Sequence, residues 1–186
     1  MRVGIQGGKG STNERACMYF AQKYGWKDLN VQYLITTKNV LKALHENSVD
    51  FGTFAWKSSR LGLVEETQEA IKEYAFKKVG EHDFQLDHAL LLKDSIDTTK
   101  RVNVYSHPQA LLEHKDSLTG IFPNWSLRKE LDTALAAQYL SEGKYPKNTV
   151  VIAPLSCANL YGLRVFLRDL PKNAGYITTI YLAQRS

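Results

Sequence analysis

The sequence predicts an α/β fold of two lobes. Three observations carry this reading. Short apolar runs of strand length alternate with longer stretches at helical spacing. The alternation breaks near residues 78–83 and then restarts. The chain has 186 residues, which is room for two small lobes with central sheets.

Val3-Gly4-Ile5-Gln6 reads as a short strand running into Gly7-Gly8-Lys9-Gly10, a glycine turn. Ser11-Thr12-Asn13-Glu14 then offers capping side chains and an acid for a helix start. Ala16, Tyr19, Phe20 and Tyr24 continue at helical spacing until Gly25 stops it. A strand over 31–35 follows, then a helix over 37–47 with Val40, Leu41 and Leu44 on one face. A third strand covers 51–55 and a helix covers 64–74. Beyond the break, one long strand is expected over 84–92 and another over 102–105. Ser106-His107-Pro108-Gln109 opens a helix through Leu112. An alanine-rich helix covers 131–141, a buried strand 150–153, a short helix 156–161 and a final strand 176–183.

Composition bounds the function. Hydrophobic residues make up 44% and charged residues 23%, the mix of a soluble globular chain. That excludes a disordered tail, a collagen and a mucin-like stalk. The longest apolar runs, 89–92 and 150–155, are too short to span a bilayer. The N-terminus lacks the apolar core of a signal peptide, so a cytoplasmic protein with no membrane partner is expected. Cys17 and Cys157 show no CxxC spacing and read as free packed thiols. The net charge of +5 is mild and suits a small anion. Its basic residues come in pairs followed by acids, without a nucleic-acid-binding motif, and no nucleic acid partner is expected. No His, Cys, Asp or Glu spacing suggests a metal site. The glycine cluster has neither the P-loop nor the GxGxxG pattern. It reads as a tight turn whose N–H groups can meet an anion.

Several segments, in order, resemble the prephenate dehydratase family. Residues 7–16, GGKGSTNERA, resemble its GPxGTFSExA turn. Asp50-Phe51-Gly52 with Lys57-Ser58-Ser59-Arg60-Leu61-Gly62 resembles its DYGVVPIENSxxG block. Gly80-Glu81 with His88-Ala89-Leu90-Leu91 resembles GE…HxLL. Residues 106–111 match its SHPQAL motif letter for letter. Asp132-Thr133-Ala134-Leu135-Ala136-Ala137 resembles STAxAA, and Tyr161-Gly162-Leu163 with Asp169 and Asn173 resembles YGLxVL…D…N. The resemblance implies two α/β lobes like a type II periplasmic binding protein, with the active site in the interlobe cleft. It divides the chain into residues 1–82 with 163–186 and residues 83–162, with no regulatory C-terminal domain. It also implies a homodimer, no cofactor and a small dicarboxylate, prephenate, as substrate.

Prephenate gives phenylpyruvate by losing its ring hydroxyl as water and its ring carboxylate as carbon dioxide. Aromatisation drives the reaction, so positioned donors and one cation suffice. The family places a TRF triplet there, and this chain has Ile177-Thr178-Thr179 instead. The ENS block reads Lys57-Ser58-Ser59. The glutamine and cysteine after SHPQAL become Glu113 and His114. The resemblance therefore makes Thr178, Ser58 and Glu113 the catalytic candidates. Thr12, Lys57, Ser59, Ser106, Gln109 and Thr133 are the substrate-binding candidates, with Lys57 supplying the cation lost with the arginine. Ser106 and Thr133 each precede a helix, where capping is their other role. Three functions stay open: the dehydratase, a prephenate decarboxylase that does not aromatise the ring, and a non-catalytic carboxylate binder.

Overall fold

The computed structural model describes residues 1–168, 170 and 175–186. In chain order the elements begin with β1 (Arg2–Gln6), α1 (Thr12–Lys23), β2 (Asn30–Ile35), α2 (Thr37–His45) and β3 (Phe51–Ser58). Next come β4 (Gly62–Leu63), α3 (Glu65–Ala70), β5 (Phe76–Gln85), β6 (His88–Leu92) and β7 (Val102–Ser106). The remainder are α4 (Pro108–Ile121), β8 (Trp125–Lys129), α5 (Thr133–Ser141), β9 (Thr149–Pro154), α6 (Ser156–Tyr161), β10 (Arg164–Leu167) and β11 (Ile177–Arg185). Two compact units result: Met1–Gln85 with Tyr176–Ser186, and Leu86–Gly175.

The first unit holds a sheet in the order β2-β1-β3-β11-β5, with β4 beside β3. β1 is parallel to β2 and β3, while β11 runs antiparallel to β3 and β5. Strand alternation sends Ile180 and Leu182 to one face, where Ala16 and Phe20 of α1 pack on them with Phe84. Tyr181 and Ala183 face the other way, toward Val40, Leu41 and Leu44 of α2. Gly52 lets α2 come close: a Cβ there would lie 2.5 Å from Val40 Cγ1. Side-chain caps start both helices, Ser11 accepting from the Glu14 N–H and Thr36 from the Asn39 N–H.

The second unit holds the order β10-β6-β9-β7-β8. Its central strand β9 is buried at every position, as a strand covered on both faces requires. The alanines of α5 pack on Ala89, Leu91, Val151 and Ala153. Ala110, Leu111 and Leu118 of α4 pack on Leu90, Val104, Val150 and Ile152. The small residues of α5 let that helix lie close to the sheet.

Several boundaries differ from expectation. The single strand over 84–92 is two strands, β5 and β6, because the chain leaves the first unit between Gln85 and Leu86. Residues 78–83, expected as the break between lobes, lie inside β5 and pair with β11 from Lys78↔Ala183 to Asp83↔Thr179. β5 is an edge strand, and its Lys77, Lys78, Glu81 and Asp83 are the exposed charges such an edge carries. Residues 164–167, assigned from the sequence to the first lobe, form β10 and pair with β6 of the second unit. The helix after Ser106 runs to Ile121, and the one expected over 64–74 is only Glu65–Ala70. Asp169 and Asn173 of the YGLxVL…D…N resemblance lie outside the described residues. Among the described residues no helix is long and apolar enough to cross a membrane.

Candidate active-site residues in each unit

In the first unit the carboxyl ends of β1 and β3 lie at one end of the sheet, since the two strands are parallel. β11 is antiparallel to them and so begins at that end. The carboxyl end of parallel strands is the usual ligand-binding edge of an α/β sheet. β1 leads into the glycine turn, where Gly7 and Gly10 adopt φ 91° and 89°, values that favour glycine. The Ser11 N–H donates to Gly8 O at 3.2 Å and closes the turn. The turn already carries an anion of its own. Glu14 accepts the Gly10 N–H at 2.6 Å and bonds the Tyr33 hydroxyl. Thr12 is half-buried at the first position of α1.

Ser58 closes β3 and pairs directly with Thr178 of β11. Opposed residues share a face, and both side chains are buried, at 2% and 7% exposure. Ser58 Oγ accepts N–H bonds from Arg60 at 3.3 Å and Leu61 at 3.5 Å. Ser59 Oγ accepts the Ile177 N–H at 3.1 Å, and the Ser59 N–H donates to Ile177 O at 2.9 Å. Ser58, Ser59 and Thr178 are thus brought together by one pair of strands.

Lys57 does not join them. It pairs with Thr179, on the opposite face from Ser58, because successive strand residues alternate. Its side chain is exposed, and its cross-strand partner Thr179 donates its hydroxyl to Asp83 at 2.6 Å. Two arginines stand on or beside the Ser58–Thr178 pair instead. The Arg60 guanidinium lies 4.6 Å from the ring centre of Tyr176, two residues before Thr178. Arg15 donates to Gln85 O at 2.6 Å and lies 5.5 Å from the ring centre of Phe84, which opposes Thr178 from β5. The sequence signal for Arg60 is its adjacency to the serine block.

In the second unit β7 is parallel to β8 and β9, so Ser106 ends its strand where α4 begins. Ser106 is fully buried and its hydroxyl donates to Ile152 O at 2.7 Å, tying β7 to β9. The capping roles considered for Ser106 and Thr133 fall to their neighbours. His107 Nδ1 accepts the Gln109 N–H at 3.3 Å, and Asp132 accepts the Leu135 N–H at 2.8 Å. Thr133 is half-buried as the first residue of α5. Gln109 donates to Glu113 Oε1 at 3.3 Å, one turn along α4.

One cluster escaped the sequence reading. His88, Glu113 and His114 are 5%, 4% and 0% exposed, and their potential ligand atoms lie within 4.8 Å of one another. His88 Nδ1 and His114 Nε2 share a hydrogen bond of 3.1 Å. The partners come from β6 and α4, so no sequence spacing marks them. The available signal was His114 itself, at core-face spacing with Ala110, Leu111 and Leu118. Both cysteines are buried, and burial together with nearby Glu14 pushes the Cys17 thiol up to about 12.

Comparison with known proteins agrees with this architecture. The family model described as prephenate dehydratase matches residues 3–184. A bifunctional chorismate mutase/prephenate dehydratase from Buchnera aphidicola subsp. Acyrthosiphon pisum (strain APS) is 25% identical over 168 residues, covering 88% of this chain and 43% of that protein. A bifunctional N-acyl-homoserine lactone acylase/prephenate dehydratase from Komagataeibacter europaeus is 27% identical over 186 residues, covering 98% of this chain and 62% of that protein. The chain therefore spans about half the length of the curated relatives it matches. A solved prephenate dehydratase from Arthrobacter aurescens, in complex with L-Phe, superposes with a TM-score of 0.80 at 20% identity. It covers 100% of this chain and 61% of that one, and it shares the α/β two-lobe fold.

Proposed function

The chain belongs to the prephenate dehydratase family, and from that premise we propose that it is a lyase converting prephenate to phenylpyruvate, water and carbon dioxide. The single observation that carries this reading is the Ser58–Thr178 pair, two buried hydroxyls opposed across β3 and β11 at the carboxyl end of the parallel strands. Thr12 and Ser59 on the first unit and Ser106, Gln109 and Thr133 on the second are the substrate-binding candidates of this reading. The Thr178 hydroxyl hydrogen-bonds the departing ring oxygen, which takes up a proton from solvent and leaves as water. The electron pair of the bond to the ring carboxylate moves into the ring, and carbon dioxide departs. Ser58 holds the backbone turn that positions Arg60, and Arg60 anchors a substrate carboxylate. Lys57 is replaced in that role because its strand position turns it to the other face. Glu113 is nearly buried against two imidazoles and is left out of the proton transfer.

One observation favours a second reading. Ile177-Thr178-Thr179 carries no arginine within β11's first turn of pairing. That reading is decarboxylation without aromatisation, in which the ring hydroxyl stays in place. Product analysis separates the two. Prephenate incubated with the protein gives phenylpyruvate under the first reading and a non-aromatic dihydro-hydroxyphenylpyruvate under the second. No turnover of prephenate overturns both and leaves a carboxylate binder. The bifunctional Komagataeibacter relative makes an N-acyl-homoserine lactone the control substrate.

A further inference from the structure

We propose that His88, Glu113 and His114 form a binding site for a divalent transition-metal cation of borderline softness, with zinc the best match. The donor set is two imidazole nitrogens and one carboxylate, which suits zinc and excludes magnesium or calcium, ions that prefer all-oxygen shells. The geometry is close to what the ion needs. Two nitrogens bound at about 2.0–2.1 Å with a tetrahedral angle stand about 3.4 Å apart. His88 Nδ1 and His114 Nε2 stand 3.1 Å apart. A Glu113 carboxylate oxygen lies within 4.8 Å of a ring nitrogen of each histidine.

Burial favours a divalent cation among these groups. A carboxylate that is 4% exposed needs a cation or strong donors beside it. Gln109 donates to Glu113 Oε1 at 3.3 Å. A divalent ion between the three groups answers the carboxylate and both imidazole lone pairs at once. The proton balance is simple. Each imidazole binds neutral, with its remaining proton on His88 Nε2 and His114 Nδ1. The proton in the direct His88–His114 bond therefore moves to the outer nitrogen of its ring when the ion enters. Glu113 and His114 stand where the family resemblance has glutamine and cysteine, so both helix-borne ligands are departures specific to this chain.

The test uses the full chain. Purified protein is unfolded, refolded with zinc or with magnesium as control, dialysed against buffer and analysed for bound metal. The expected result is one zinc retained per chain and no magnesium. Cobalt(II) in place of zinc is expected to give the intense visible absorption of a four-coordinate ion. Glu113→Gln, which introduces the family residue, is expected to weaken zinc binding about 100-fold or more, since even second-shell changes cost about 10- to 100-fold. His114→Cys is expected to keep the ion and add a thiolate-to-cobalt charge-transfer band. Wild-type protein that retains no zinc overturns the assignment, as does zinc retained undiminished by Glu113→Gln or a cobalt spectrum without the new band in His114→Cys. Circular dichroism of each variant checks the fold, and the wild-type stoichiometry decides the matter even if a variant does not fold. The dehydratase reading does not depend on the outcome.

Discussion

Cys17 lies fully buried in a small apolar cluster with Val3 and Ile5, and its thiol is held protonated up to about pH 12 by burial first and nearby Glu14 second. The folded state thus keeps a proton that the unfolded chain loses near its ordinary value of about 8.5. The resulting stabilisation is complete below about 8.5 and is lost as pH rises toward 12. Two outcomes follow: the native thiol is inert to thiol reagents at neutral pH, and Cys17→Ala flattens the alkaline fall in stability measured by urea denaturation. Arg60 is the second residue with a defined test. A charged hydrogen bond to a carboxylate is worth about 1.5–3 kcal/mol. Arg60→Gln is therefore expected to weaken prephenate binding by about 10- to 100-fold in calorimetry, and Lys57→Met is expected to leave it unchanged. A reversal of those two results restores Lys57 as the anchor. The sequence marked the block but not the faces of its side chains. Only the pairing of Lys57 with Thr179 and of Ser58 with Thr178 shows which side chain shares a face with which, and a one-residue difference in a strand inverts that answer.

Elements with strong local signals were legible from sequence. The glycine turn, the capped start of α1 and the apolar face of α2 follow from residue types and spacing, and so does the buried run of β9. β5, β8 and β10 were not. Each mixes charged and apolar residues, and each becomes a strand because a neighbour supplies the backbone partners: β11 for β5, β7 for β8 and β6 for β10. The break assigned to residues 78–83 fails for the same reason, since charge there marks a sheet edge rather than a linker. The packing of α2 on β3 gives a direct check. Gly52→Ala places a Cβ 2.5 Å from Val40 Cγ1 and 3.0 Å from Leu44 Cδ1. Overpacking of this kind costs about 1–3 kcal/mol, to be read as a lowered denaturation midpoint with an unchanged slope.

Across the whole molecule, the ordered motifs placed the chain in its family because they are framework as much as chemistry. Ser106 ties β7 to β9, His107 caps α4 and Asp132 caps α5. Those bonds hold each strand-to-helix turn whatever the substrate, so the motifs persist while Ile177-Thr178-Thr179 and Glu113-His114 depart from the family pattern. The His88–Glu113–His114 cluster was invisible in sequence because it exists only where β6 meets α4. On this account the Ser58–Thr178 pair supports elimination. The direct measurement is phenylpyruvate formation from prephenate by wild-type protein and by Thr178→Val, which removes one hydroxyl and keeps the shape. Wild-type turnover is expected, with kcat reduced about 100-fold or more in the variant and binding of prephenate little changed. Absence of phenylpyruvate with the wild type, or equal rates for the two proteins, contradicts that role.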